Sequence, residues 1–385
     1  MKFENLNENY LKRIFKDEPE WFVSDRLKSL KLFNQAKEDS FRYGSTMKTD
    51  VSDIKISDYE SKINLVLKNN DSRIIIKDFK KALTEDDELI RKFFMKEIKT
   101  RMELLHKAIV QEGLLIYIPK NVKVKEDITI DYEFLTNSFD YLLVIAEENS
   151  ELNIIERLRS KEIFRSNVVE IYAGRNSKVN FYSIQDMDNN CINFSVKRSF
   201  AGKDSECNFY NFDFGSKLNY SDTYSELVEE GSCSKIKGIY FGNEKQHFNL
   251  ASSTHHKSRN TNSDIFTRGI LDDNSNIIYR GLVKIYENAE NSNGYQKEDA
   301  LILSENAKAD SIPNLEINNH DVKCSHSSSI SHLDKDKLFY LMSRGIDYKE
   351  CTKIMTEGFL MEVLNKIDKE EIKEEIKQLI KSKIK

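Results

Sequence analysis

The chain has 385 residues, 39% of them hydrophobic and 32% charged, with 59 basic and 64 acidic side chains giving a formal net charge of −5. No run approaches the roughly 20 apolar residues of a membrane-spanning helix, and no basic excess of the kind that marks a nucleic-acid binder is present. The five cysteines, an odd number with no Cys-x-x-Cys pair, argue against a disulfide framework or zinc ribbon, and the opening Met1-Lys2-Phe3-Glu4 lacks a secretory apolar core, so a reducing, cytoplasmic setting is expected.

Residues 1–112 read as mainly helical. Leu27, Leu30 and Phe33 follow Trp21-Phe22 at helical spacing. A longer helix is predicted from Thr84, with Asp87 three residues on as a capping box. Its apolar positions are Leu89, Ile90, Phe93, Phe94, Ile98, Met102, Leu105 and Ile109, and Gly113 is placed to stop it. Residues 50–80 alternate in places, as at Ile74-Ile75-Ile76, and add a strand.

Over residues 113–332 short β-prone runs alternate with polar turns, as in Leu114–Ile118 and Tyr141–Ile145. A turn residue followed by Ser precedes a short alternating run at Asn149-Ser150, Asn176-Ser177, Asp204-Ser205, Gly231-Ser232 and Asn274-Ser275. The first four start 27, 28 and 27 residues apart, and the register is expected to be lost around residues 243–265. Such a period in strand-rich sequence indicates a solenoid or propeller, and a propeller blade needs about 40 residues and its own aromatic signature. A β-helix therefore fits better, with an ordinary β-sandwich as the alternative. Residues 333–385 are helical again. Asp334 and Asp347 are expected caps, Gly345 a stop, and Asp368 with Glu371 the start of a tail whose stripe is Ile372, Ile376, Leu379 and Ile380. These helices either cap the solenoid or hold a partner.

The strongest chemical candidate is His320-Asp321-Val322-Lys323-Cys324-Ser325-His326, with His332 nearby. Two apart on a strand, Cys324 and His326 share a face and make half a site for iron, zinc or copper. The other half must come from elsewhere, such as another chain; the competing reading is a buried Cys and a hydrogen-bonded His at the sheet's end. His247, His255 and His256 read as surface histidines of a loop-rich stretch, and adjacent histidines on extended chain point to opposite faces. His106 reads as a partly buried structural histidine, and Asp272-Asp273 as turn residues rather than a calcium-binding carboxylate cluster. Phosphate-loop, nucleophile-elbow and dinucleotide motifs are absent.

Several segments together resemble the SufB/SufD family of iron–sulfur cluster assembly scaffolds. They are Glu18-Pro19-Glu20-Trp21 with Arg26-Leu27-Lys28, Glu112-Gly113 with Tyr117-Ile118-Pro119, Tyr279–Val283, Asp321–His326, Leu333–Tyr340, Ser343–Ile346 and Gly358-Phe359. The resemblance implies a mainly β fold, a parallel β-helix (solenoid) core flanked by N-terminal and C-terminal helical regions. It implies a non-enzymatic subunit of the SUF system, binding no nucleotide itself. Its C-terminal region, with Arg344, Gly345, Ile346, Gly358 and Phe359, would dock a SufC-type ATPase. Its β-helix end would pair with a SufB-type chain or a second copy, and His326, with Cys324 beside it, would contribute to a transient iron–sulfur cluster at that interface. The closest likeness is to SufD: Lys297 follows Gln296 where SufB carries a cysteine, His326 stands where SufB has a glutamate, and no cysteine precedes Cys191. Glu18–Trp21 is more SufB-like, which suits an early-branching or self-pairing version. Two alternatives are a purely structural adaptor that recruits the ATPase without touching metal, and a β-helix carbohydrate-active enzyme, for which neither secretion nor a carboxylate-lined groove is visible.

Overall fold

The computed structural model describes residues 1–37, 51, 54–161 and 163–384. Residues 50, 52 and 53, inside the stretch expected to alternate, lie outside the described residues. The N-terminal part holds β1 (Lys2–Phe3), α1 (Glu8–Ile14), α2 (Glu20–Gln35), β2 (Lys55–Ile56), β3 (Ile63–Lys68), β4 (Ile75–Asp78), α3 (Phe79–Glu85), α4 (Asp87–Phe93) and α5 (Arg101–Ile109).

The single long helix expected from Thr84 is three short ones. Phe94 leaves α4 extended and Met95 takes a left-handed φ of 39°, its N–H donated to the buried carboxylate of Glu170. The capping box forms at Thr100 and Glu103, opening α5, whereas the Thr84 hydroxyl donates back to Lys81 within α3. The apolar positions on either side of the break are buried in different clusters, Ile90 and Phe94 with Phe22 and Phe79, and Met102, Leu105 and Ile109 with Leu30 and Phe33. Gly113 is a strand residue rather than a helix stop. Arg26, 1% exposed, ties α2 to the end of α5 by donating to Glu18 and to the carbonyls of Ala108 and Val110.

The middle of the chain is a parallel solenoid. One row of strands is β5 (Glu112–Ile118), β7 (Ser138–Ala146), β9 (Phe164–Ala173), β11 (Ile192–Ala201), β13 (Leu218–Leu227), β15 (His247–His256), β17 (Asn276–Ile285) and β19 (Lys308–Ile317). The other is β6 (Ile128–Phe134), β8 (Glu151–Ser160), β10 (Lys178–Gln185), β12 (Glu206–Asp213), β14 (Cys233–Gly242), β16 (Asn262–Leu271), β18 (Ser292–Ile302) and β20 (Val322–His332). Each row forms one sheet in which every strand pairs in parallel with the strand two along. At the N-terminal end β4 and β3 pair antiparallel with β5 and β6.

The repeated turn residues supply the corners. Asn149, Asn176, Asp204 and Gly231 have φ of 57°, 53°, 55° and 75°, the left-handed region that Asn, Asp and Gly tolerate best. The Ser that follows each is buried and donates to the carbonyl three residues back, 2.6–2.9 Å away. Stacked corner asparagines also bond one another, Asn176 to Asn149 at 2.8 Å and Asn149 to Asn121 at 2.9 Å. The register is not lost at 243–265: β15 and β16 pair residue for residue with their neighbours. The same corner continues at Asn260-Thr261 and Asn291-Ser292. Asn274-Ser275 belongs instead to the opposite corner, with Ser216, Glu244 and Asp273.

The interior is apolar around Ile116, Val144, Ile154 and Phe181, with buried polar groups set among these side chains. Arg165, fully buried, donates to Asp140 at 2.6 and 3.0 Å, and Tyr240 donates to Glu298 at 2.8 Å.

Three helices follow: α6 (Lys335–Ser343), α7 (Tyr348–Leu364) and α8 (Glu370–Lys383). Asp334 and Asp347 cap the first two through their side chains, and α8 starts at Lys369 without the expected Asp368 cap. They do not close the solenoid's end. Leu360, Val363, Ile372, Ile376 and Ile380 pack on the outer face of the even-numbered sheet, against Tyr182, Tyr210, Phe212, Ile239 and Phe266. Ion pairs fasten them: Arg157 to Glu375 at 2.8 Å and Lys369 to Asp127 at 2.7 Å.

Candidate metal site at the open end of the solenoid

Both sheets end on strands with one neighbour, β19 and β20. Cys324 and His326 lie on β20, where alternation puts them on one face, as their spacing suggested. The parallel register sets Cys324 against Gly294 of β18 and His326 against Gln296. Both of those residues point into the solenoid, so the Cys–His pair forms part of the next layer, above the last fully covered coil.

Cys324 is half-buried at the margin of the core, and burial pushes its thiol above the usual value. A metal taken up there must displace the thiol proton. A Cβ on Gly294 would stand 2.5 Å from Val283 Cγ1, 3.4 Å from His256 Nε2 and 3.5 Å from Cys324 Sγ, so only glycine fits this layer. His326 is exposed, as are His320 and His332. Among the described residues no three His, Cys, Asp or Glu side chains are grouped to hold a metal ion. Cys324 and His326 are two candidate ligands, too few to enclose a metal ion by themselves.

Beneath them sit two buried residues of β18 that do not stand out in the sequence as site residues. Gln296 is 3% exposed, and neither its amide nitrogen nor its oxygen has a hydrogen-bond partner among the described residues. Glu298 is 1% exposed, and burial pushes its carboxyl up to about 7 while the Tyr240 hydroxyl donates to it. The period-two pattern of β18 places Gly294, Gln296 and Glu298 on one face and was the available signal.

The histidines read as surface groups are placed differently. His255 and His256 do point to opposite faces, but of a strand. His256 is fully buried inside the solenoid, bonded to Thr261 and Ser263 at 2.8 Å, and burial lowers its pKa to about 4. His255 lies outside, between the rings of Tyr224 and Tyr286. His247 bonds Asn276. His106 is wholly buried against Ser166 at 3.0 Å, its pKa lowered to about 3 by burial and by Arg165 and Arg26.

A family model described as "SUF system FeS cluster assembly, SufBD core domain" matches residues 129–359, well over half the chain. The chain belongs to the SufBD family. Iron–sulfur cluster assembly SufBD family proteins of Staphylococcus saprophyticus, Staphylococcus epidermidis and Staphylococcus aureus are each 28% identical to it, over 92% of this chain and 88% of theirs.

In this SufBD protein the residues expected at an ATPase-docking face fall into two groups. Arg344 and Gly345 end α6, with Gly345 at φ 85° and Arg344 stacked 5.2 Å over Tyr340. Ile346 is half-buried and Gly358 exposed, with open space where a Cβ would stand. Phe359 instead turns toward the solenoid: Arg268 lies 4.7 Å over its ring and donates to its carbonyl at 2.6 Å. Its replacement by Asp would unseat α7 rather than probe docking alone. The large apolar groups of these helices that do face outward are Phe339, Tyr340, Met342, Tyr348 and Ile354; α6 buries no residue at all. No helix among the described residues is long and apolar enough to cross a membrane.

Proposed function

We propose that this chain is a SufD-like scaffold subunit of the SUF machinery, on whose open solenoid end a nascent iron–sulfur cluster is built jointly with a second chain. The observation that carries the reading is the Cys324–His326 half-set on β20, an end strand with free backbone donors and acceptors on its outer edge. Such an edge is a ready template for another chain's strand. The partner is a SufB-type chain or a second copy, and its ligands complete the set. A shared, partly open ligand set holds its cargo weakly enough to pass it on. The subunit works in the cytoplasm, binds no nucleotide and acts as a scaffold rather than a catalyst. Its division of labour is a helical region 1–112, a β-helix core 113–332 and an ATPase-docking region 333–385.

Co-expression with the SufC-like ATPase and SufB-like chain of the same genome tests the site. His326→Ala should lower iron and acid-labile sulfide in the purified complex by at least about tenfold. Equal loading would make the chain an adaptor that positions the ATPase while its partner does the cluster chemistry.

Docking is placed on the outward face of α6 and the start of α7. Phe339 is 73% exposed, and its neighbours Tyr340 and Tyr348 are more than half exposed. Buried aromatic anchors contribute about 2 kcal/mol or more each at interfaces. Phe339→Asp should therefore weaken ATPase capture by about 30-fold, with an unchanged melting temperature because α6 buries nothing in the free chain. Undiminished co-purification would move the docking face elsewhere.

A further inference from the structure

The half-set at the open end leaves one requirement unmet in the layer that carries it. A histidine that binds metal through one ring nitrogen donates its other N–H to a carbonyl, a carboxylate or water, and that bond fixes the ring's tautomer and direction. In the free chain His326 is exposed and water serves. Once a second chain covers the end, the N–H needs an acceptor from the protein.

Gln296 is placed to be that acceptor. It is the register partner of His326, on the adjacent parallel strand and the same face, so the two Cα atoms are about 4.8 Å apart. Its side chain is 3% exposed, and both ends of its carboxamide lack a partner among the described residues. A buried amide with two donors and two lone pairs unused is costly, and natural cores retain few such groups. The residue is also deliberately housed. Its amide lies against the α-carbon of Gly281 on β17, where a Cβ would collide with it, so the opposite sheet is cut back to glycine to let the side chain cross the interior. Two residues along the same strand, Glu298 shows what a satisfied polar group looks like here: it accepts from Tyr240 at 2.8 Å.

We propose that Gln296 is the positioning residue of this site, its carboxamide oxygen accepting the N–H of His326 when the imidazole binds iron at the closed interface. The inference rests on the reading of His326 as a ligand and adds the group that orients it. The bond forms on closure, by rotation of two side chains that already share a face. Gln296 touches no cargo itself.

The test uses the co-expressed complex and follows chelator-driven loss of the cluster by its visible absorbance. Gln296→Leu keeps bulk and removes the acceptor; Gln296→Met does the same on a flexible chain, should Leu fail to fold. Gln296→Glu keeps an acceptor at the same reach. Loss should be about 10- to 100-fold faster in the Leu and Met variants and near wild type in the Glu variant. The melting temperature of the uncomplexed Leu variant should be no lower than that of wild type, because an unpartnered buried amide has been removed. Wild-type retention in both Leu and Met variants would overturn the proposal. So would a Glu variant as labile as Leu, or a Leu variant that melts lower, since either would show that the amide serves the fold or donates rather than accepts. Should His326→Ala retain its cluster, the reading of the site fails first; should it lose the cluster while Gln296→Leu does not, only the present inference fails.

Discussion

Asp140→Ala should destabilise the folded chain by about 3–5 kcal/mol, the cost of leaving one member of a buried ion pair without its counter-charge. Arg165 is fully buried inside the solenoid, its guanidinium 4.7 Å over the ring of Phe134 and doubly bonded to Asp140. Asn167 and Ser138 also donate to that carboxylate, at 2.7 and 3.2 Å, so its removal orphans three donors at once. Urea unfolding should show a lower midpoint at unchanged slope. Replacing both partners by apolar residues, Asp140→Leu with Arg165→Met, should recover most of the loss. A single-variant loss below about 1 kcal/mol would show that Glu156, the next carboxylate facing Arg165, takes over as counter-charge.

The second large effect depends on pH. Glu298 titrates near 4.5 in an unfolded chain and at about 7 when folded, raised chiefly by burial. A raised acid binds its proton more tightly in the native state. Its stabilising contribution is therefore complete below about pH 4.5 and disappears as pH rises through 7. Glu298→Gln keeps an acceptor for Tyr240 and has no charge to bury, so it should be more stable than wild type at pH 8–9 by about 3 kcal/mol, with the advantage gone by about pH 4. His106 and His256 act with the opposite sign: lowered to about 3 and about 4, they favour the native state above pH 6.5 and cost stability as the pH falls toward 4. The variant-minus-wild-type difference in denaturation free energy isolates Glu298 from them. A difference flat from pH 5 to 9 would mean that the carboxyl is not buried against ionisation.

The solenoid was legible because its corners use a chemical device that repeats: a residue able to take positive φ, then a hydroxyl that closes the turn. The reading faltered where the device changed its letters. Asn260-Thr261 swaps Ser for Thr, and Asn274-Ser275 copies the dipeptide onto the other corner. The long N-terminal helix failed for a different reason. Its apolar period was real, but Met95 donates to a carboxylate 75 residues away, and no local pattern announces a tertiary bond that breaks a helix. The shared face of Cys324 and His326 on β20 was legible from their spacing. Gln296, Glu298 and His256 were not, because their meaning comes from stacking: each is unremarkable on its own strand and acquires a role from the layer above or below. Phe359 shows the same limit, since an aromatic on an amphipathic helix carries no sign of which neighbour it faces.

The placement of α7 and α8 along the side of the sheet has a mechanical consequence. In a stack that contacts only nearest neighbours, every interior coil is held by two interfaces and a terminal coil by one. At the N-terminal end β3 and β4 pair with the first strands, whereas among the described residues no strand pairs with the outer edges of β19 and β20. The coil that carries Cys324 and His326 is thus the outermost link of a one-dimensional cooperative chain, the first to fray and the one whose order a newly added neighbour raises most. On the proposed function, assembly of a ligand set there and consolidation of the solenoid's last turn would be the same thermodynamic event, so whatever released the neighbour would also loosen the grip on the cargo.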